Sequence, residues 1–178
     1  MWVVYVSIYI GLIGLFFYVF SFLDDLKKKK PLYTDKELPK VSVIIAAFNE
    51  EKTIANTVKS ILNSDYPKNK LEIIVVNDGS KDNTLKEAKK FAKNGVKIFS
   101  QKNMGKGAAL NNGIKNCTGE IVFTLDADTY ADAVSLKNMV RYFKDEKVFS
   151  VTPAMAVHKV TTIAQRIQHI EYLLGLFL

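Results

Sequence analysis

Residues 121–129 read IVFTLDADT. Five uncharged residues are followed at once by two carboxylates, Asp126 and Asp128, one residue apart. A short apolar run bounded by turn-type residues is the pattern of a buried central strand. Side chains alternate along a strand, so extended geometry carried past Asp126 would put both carboxylates on the same side, with small Ala127 between them. Like charges held that close repel, and burial would raise their pKa values. A divalent cation removes the conflict: Mg²⁺ is typically held by one or two carboxylates and completed by substrate phosphates. The same residues also read as a solvated acidic loop.

The flanking sequence supplies a context for this strand. Residues 41–47 (VSVIIAA) and 71–77 (LEIIVVN) read as two more buried strands, and residues 96–99 as a shorter one. Residues 148–151 suggest a fifth. Helical stripes lie between them. Ile54, Val58, Ile61 and Leu62 have the spacing of an amphipathic helix, with Asn49 as its expected cap and Glu50 and Glu51 in its first turn. Leu85, Ala88, Phe91 and Ala92 mark a second helix, ended by Asn94-Gly95. A third is expected over 108–116, closed near Gly119 as a left-handed cap, and Leu136, Met139, Val140 and Phe143 mark a fourth. Strands alternating with helices imply right-handed crossovers and a mostly parallel sheet covered on both faces.

Ligands of open parallel sheets bind beyond the carboxyl ends of the strands. Three of the first four strands end in acidic or amide residues: Asn49-Glu50, Asp78, and Asp126 with Asp128. The topology gathers these distant groups on one edge. Read singly, Glu50 is a helix-dipole acid and Asp78 a turn former before Gly79. Gly105-Lys106-Gly107 adds a flexible backbone and one cation at the start of a helix, where N–H groups favour anions. The spacing matches neither the P-loop nor the dinucleotide fingerprint, since Ala108, Ala109 and Leu110 follow Gly107. Lys106 alone also reads as a solvated loop lysine. Metal, acids and sheet together suggest a nucleotide diphosphate.

Residues 1–23 contain no Asp, Glu, Lys or Arg. As a helix they would span roughly 34 Å, enough for a bilayer core. A cleaved signal peptide opens with a basic region and has a shorter apolar core, so a retained membrane helix is the expectation. Trp2, Tyr5 and Tyr18 near its ends suit the interface. Lysines 27–30 follow, which places the C-terminal side in the cytoplasm and close to anionic headgroups. They make up part of the formal net charge of +7, and the other lysines are scattered without aromatic interleaving, which argues against a nucleic-acid surface. The single cysteine, Cys117, excludes an internal disulfide and fits a reducing compartment. His158 and His169 have no metal-ligand spacing to each other or to Cys117 and read as surface or packing residues.

Four blocks, VSVIIAAFNEE, EIIVVNDGSKDNT, NMGKGAALNNGI and GEIVFTLDADT, in this order and at these intervals, resemble the donor-binding half of family 2 glycosyltransferases. The resemblance runs from Val41 to about Val157 and is nearest to membrane-bound members that make polysaccharides such as poly-N-acetylglucosamine, cellulose or hyaluronan. It implies a GT-A fold, a Rossmann-like, mostly parallel α/β sheet flanked by helices, with the N-terminal transmembrane helix added. It also implies that Ala47, Phe48 and Glu50 line the nucleoside pocket, that Asp78 contacts the base, and that Lys106 lies close to the nucleotide. Asp126 and Asp128 would form the D-x-D pair that holds Mg²⁺ or Mn²⁺ on the donor diphosphate. The implied reaction is inverting hexosyl transfer from a nucleotide-diphosphate sugar, a UDP-sugar first among them, to a glycan or lipid acceptor.

The expected organisation is a transmembrane helix over 1–23, a basic juxtamembrane linker over 24–40, an incomplete donor-binding domain over 41–157, and the start of an amphipathic or interface helix over 158–178. Ala46 stands where the family usually has Pro, and Phe48 where Tyr is common. The family's catalytic base lies in a later E-D or D-D motif, and processive members add Q-x-x-R-W. Neither follows the donor-binding blocks in this sequence, and Glu171 lacks that context, so no catalytic base is assigned. Ile163, Ile167, Ile170, Leu174 and Phe177 keep helical spacing to the last residues without a cap, so a C-terminal continuation or a partner subunit is expected. A non-catalytic nucleotide-binding or scaffold subunit of a membrane glycan-synthesis complex is the second reading. A sugar nucleotidyltransferase would need a Gly-rich N-terminal signature that is not present.

Overall fold

The structure, a computed structural model, describes residues 1–27, 37–157 and 160–175. Most of the basic linker, His158 and Phe177 lie outside these residues. The chain divides into two compact units, one of residues 31–151 and one of residues 1–30 and 152–178.

The larger unit is a parallel sheet with helices on its faces. After the N-terminal helix α1 (Trp2–Lys27) come β1 (Val41–Ala47), α2 (Ile54–Leu62), β2 (Leu71–Asp78), α3 (Thr84–Lys89), β3 (Lys97–Gln101), α4 (Lys106–Lys115), β4 (Ile121–Asp126) and α5 (Ser135–Val140). The strand order is β3-β2-β1-β4, and all three pairings are parallel. Order reverses between β1 and β4, so the chain's switch point lies there.

β1 and β2 are buried because both of their faces are apolar. Val41, Val43, Ile45 and Ala47 pack with Ile54, Val58 and Ile61 of α2 and with Leu136 and Val140 of α5. Ile44 and Ile74 face the other way, onto Ala109 of α4. Each fully buried Ile or Val contributes about 1.5–3 kcal/mol over an exposed one, so these two strands anchor the unit.

β4 departs from the buried central strand expected of it. It lies at the end of the sheet order, paired with β1 alone among the described residues. Ile121, Phe123 and Leu125 turn to the main core, while Val122, Thr124 and Asp126 are exposed. The apolar run is that of a half-covered edge strand. Residues 148–151 form no strand, and Phe149 is 90% exposed. Apolar character alone does not make a strand without a ladder partner.

Two helix boundaries also differ from expectation. Asn49 does not cap α2, which begins five residues later with Thr53 at the N-cap. Asn49 takes a left-handed φ of 56°, and its side-chain oxygen accepts the Lys81 N–H at 2.9 Å. Glu50 and Glu51 therefore precede the helix. Gly119 is not a left-handed cap, since positive φ among the glycines is confined to Gly79, Gly95 and Gly105. Gly119 is required for space: a Cβ there would stand 2.5 Å from the Ser42 backbone nitrogen.

A polar clasp closes the amino ends of the strands. Glu72 on β2 is only 8% exposed. Its carboxylate accepts bonds from the Ser42 hydroxyl, from Lys97 Nζ at 2.6 Å and from the Thr118 N–H at 2.8 Å. Ser42 in turn accepts the Gly119 N–H at 2.9 Å. Burial alone would raise the Glu72 carboxyl, but the bonds from Lys97, Ser42 and Thr118 outweigh it and lower its pKa to about 2.

In the smaller unit, α1 (Trp2–Lys27) continues four residues beyond Leu23 into the charged stretch. Its segment Trp2–Ser21 is long and apolar enough to cross a membrane, and none of it is buried in protein. α6 (Ile163–Gly175) is the second helix. Its Ile163, Ile167 and Ile170 are all more than half exposed.

Candidate donor-binding site

A cleft of about 480 Å³ opens beyond the carboxyl ends of β1, β2 and β4. All seven residues singled out in the sequence line it: Ala47, Phe48, Glu50, Asp78, Lys106, Asp126 and Asp128. Ala46, Asn103, Gly105, Ala109 and Ala127 complete its wall. Parallel strands in register bring these groups together, because their carboxyl ends fall at one level: Ala46 pairs with both Val76 and Asp126.

The first wall is the β1–α2 loop. Phe48 leaves the strand 44% exposed and offers an aromatic face to the cleft. The Glu50 carboxylate accepts the Thr53 hydroxyl at 2.7 Å. This loop is stitched to the start of α3. The Glu50 N–H donates to Thr84 Oγ1 at 2.7 Å and the Glu51 N–H to Asp82 Oδ2 at 3.1 Å, while the Glu51 carboxylate accepts the Asn83 N–H at 3.0 Å. Of the acids that sequence assigns to a helix dipole, Glu51 instead satisfies loop backbone and Glu50 a loop hydroxyl.

Asp78 forms the floor. It is 3% exposed, and both its oxygens are engaged by the loop that leads into α4. Oδ1 accepts the Gln101 amide at 2.8 Å and the Met104 N–H at 3.0 Å, and Oδ2 accepts the Gly105 N–H at 2.8 Å. Burial pushes this carboxyl up, but the bonds from Met104, Gln101 and Gly105 prevail and its pKa is lowered. Gln101 is the residue paired with Asp78 in the β2–β3 ladder, and its own oxygen accepts the Asn112 amide at 2.7 Å. Next door, Gly79 has a φ of 71°, and a Cβ there would stand 2.6 Å from the Asn103 nitrogen. The loop is thus clamped to the end of β2. Gln101, Asn103 and Asn112 were missed in the sequence because their partners are set by strand register, which no local motif displays.

The D-x-D pair forms the third wall. Extended geometry does not persist past Asp126 as strand alternation suggested. The chain turns there, and the Thr129 N–H bonds the Asp126 carbonyl at 3.1 Å. Both carboxylates still line the cleft, and both are exposed. The turn is fastened to α2 from behind: the Thr57 hydroxyl donates to the Ala127 carbonyl at 2.8 Å, and Ser60 Oγ accepts the Ala131 N–H at 3.1 Å. Lys106, first residue of α4, lays its ammonium 2.5 Å from Asp126 Oδ1.

No group of three or more His, Cys, Asp or Glu that would hold a metal exists among the described residues. Two carboxylates give hard oxygen donors but no closed cage. That donor set suits Mg²⁺ or Mn²⁺ completed by phosphate and water, and the Lys106 ammonium already stands as a cation on one of its members.

A parallel α/β sheet with an oxygen-rich cleft at its switch point, one wall of which is a helix N-terminus, is an arrangement that suits phosphorylated ligands. The chain belongs to glycosyl transferase family 2, whose family model matches residues 42–177, and its fold is of the GT-A type. It is 37% identical over 172 residues to a poly-beta-1,6-N-acetyl-D-glucosamine synthase of Staphylococcus aureus (strain COL), a match that covers 95% of this chain and 41% of that protein. The chain therefore spans less than half the length of that curated relative. Among solved structures it is similar to the mannosyltransferase PcManGT of Pyrobaculum calidifontis in complex with GDP-Man and Mn²⁺, at 30% identity and a TM-score of 0.62, over 75% of this chain and 41% of that one. It is also similar to residues 1–349 of S. aureus TarS in complex with UDP-GlcNAc, at 29% identity and a TM-score of 0.53, over 72% and 42%.

Proposed function

We propose that this chain is the donor-binding part of a membrane-anchored glycosyltransferase that takes a hexosyl unit from a nucleotide-diphosphate sugar, UDP-GlcNAc first among them, and passes it with inversion to a glycan or lipid acceptor. The observation that carries the reading is the meeting of the Asp126–Asp128 pair, Lys106 at the start of α4, and the Phe48, Glu50 and Asp78 walls in one cleft. The relatives bound to UDP-GlcNAc and to GDP-Man with Mn²⁺ support the donor class.

In this reading Ala47, Phe48 and Glu50 bound the nucleoside, with the Phe48 ring as its apolar face. Asp78 already accepts three bonds, and a carboxylate has about four acceptor positions, so it has room for one base N–H. Lys106 and the first N–H groups of α4 face the diphosphate. Asp126 and Asp128 hold Mg²⁺ or Mn²⁺, which when bound stabilises the charge that builds on the departing diphosphate. The Thr57 bond to Ala127 keeps the two carboxylates in place without rearrangement. The base that takes the acceptor's proton is not assigned to any residue of this chain.

The apolar Trp2–Ser21 segment supports a bilayer helix, and lysines 27–30 after it favour a cytoplasmic C-terminal side. The exposed Ile163, Ile167 and Ile170 of α6 form an apolar stripe suited to a membrane surface or a partner subunit.

The test is titration of the detergent-purified chain with UDP-GlcNAc and Mn²⁺. Binding is expected, weakened tenfold or more in Asp128→Asn. If no nucleoside diphosphate or its sugar binds, and Asp128→Asn behaves as wild type, the donor reading is wrong. Crosslinking in membranes addresses the second reading: a stable complex with a protein that contributes an acidic motif would make this chain the donor-binding subunit of a split enzyme.

A further inference from the structure

The Lys106–Asp126 contact has a chemical consequence for the donor site proposed above, and the inference rests on that reading. The ammonium lies 2.5 Å from Asp126 Oδ1, at the distance of a direct ion pair. A divalent cation on the same carboxylate would sit about 2.0–2.1 Å from an oxygen. On that oxygen the two cations compete for lone pairs, and they repel each other wherever on the carboxylate the metal sits. Each therefore weakens the other's hold on Asp126.

Lys106 is free to leave. Its side chain is 62% exposed, and that of Asp126 55%. A lysine is a compact charge on a flexible four-carbon stem, so changing partners requires no movement of the backbone. The backbone itself is held still. Asp78 fastens the Met104 and Gly105 N–H groups immediately before Lys106, and α4 begins at Lys106. A mobile cation thus swings from a fixed point at a helix N-terminus, where an anion is favoured. Asp126 is also fixed, as the last residue of β4 with its turn tied to α2 through Thr57.

We propose that Lys106 is an exchangeable cation: it neutralises Asp126 in the free protein and transfers to the diphosphate when a divalent metal takes its place. The exchange couples the two ligands. Diphosphate draws the ammonium away and frees Asp126 for the metal; metal on Asp126 releases the ammonium to the diphosphate. Each ligand therefore raises the affinity of the other by the same factor. Metal alone binds weakly, because it must first displace the lysine.

The test uses the whole chain in detergent and follows free Mn²⁺ by electron paramagnetic resonance, with and without UDP. Wild type is compared with Lys106→Met, Lys106→Gln and Lys106→Arg. An exposed ion pair amounts to about a two- to fivefold effect. Lys106→Met and Lys106→Gln are expected to bind Mn²⁺ alone about two- to fivefold more tightly, and the factor by which Mn²⁺ tightens UDP is expected to shrink correspondingly. Lys106→Arg keeps the charge and is expected to keep the wild-type coupling. If wild type binds Mn²⁺ with UDP but both neutral variants bind Mn²⁺ alone no more tightly, the exchange is refuted and the donor site stands. If no protein binds Mn²⁺ or UDP under any condition, the donor reading falls and the exchange with it.

Discussion

Asp78 Oδ2 accepts the backbone N–H of Gly105 at 2.8 Å, so the last residue of β2 sets where α4 begins. Lys106 follows Gly105 directly, and its position in the cleft depends on a carboxylate 28 residues away in sequence (106 − 78).

Replacing Asp78 should therefore disturb the loop as well as any base contact. Asp78→Asn keeps the shape but turns one acceptor into a donor that faces N–H groups. It is expected to cost about 1–3 kcal/mol of stability and to weaken UDP binding at least tenfold. Gln101→Ala removes only one of the three bonds and should give a smaller loss in the same direction. Urea unfolding and isothermal titration on the same samples check both. An Asp78→Asn variant with wild-type stability would show that the clamp is not needed.

Thr57 gives a second prediction. Its hydroxyl is buried and reaches the carbonyl between the two carboxylates of the D-x-D pair. Thr57→Val keeps the volume and leaves that carbonyl unpartnered, at a cost of about 1–3 kcal/mol. Mn²⁺-dependent UDP binding should weaken, while metal-free UDP binding should change less. Thr57→Ser should restore both, since it keeps the hydroxyl. Equal losses with and without metal would mean that the bond serves the fold alone.

Glu72 makes stability depend on acid pH. Its carboxyl is lowered from 4.5 to about 2 in the folded chain. A depressed carboxyl contributes stability that is complete above its unfolded value and is lost as pH falls through its folded one. Wild type should exceed Glu72→Gln by on the order of 2–3 kcal/mol at neutral pH. The difference should narrow below about pH 4.5 and be nearly gone at about pH 2. Denaturation curves at several pH values in detergent measure it. A gap that does not change with pH would remove Glu72 as its source.

Much of the layout was legible in local sequence. VSVIIAA and LEIIVVN are apolar on both faces, which suits only a strand covered on both sides, and both are central. The run before Asp126 misled because a half-covered edge strand with Val122 and Thr124 outward has nearly the same composition as a buried one. Asn49 misled for a related reason. Asn favours caps and also left-handed loop positions, and which it takes here depends on Ser80 and Lys81, partners 31 and 32 residues away.

By itself, the sequence determined the alternation of strands and helices, the apolar N-terminal helix, and the acids and Lys106 at the strand ends, while Ala47 and Phe48 came from the family resemblance. These are local properties, set by periodicity and by side-chain chemistry at fixed spacing. Only tertiary structure decided what holds those residues: the Asp78 clamp on Met104 and Gly105, the Thr57 tether behind the D-x-D turn, and the Lys106 ammonium on Asp126. The opening stretch could announce two carboxylates, but not the turn that aims them or the lysine that occupies one. Those contacts join residues far apart in sequence, and a hydrogen bond or ion pair acts only across the few ångströms that folding creates.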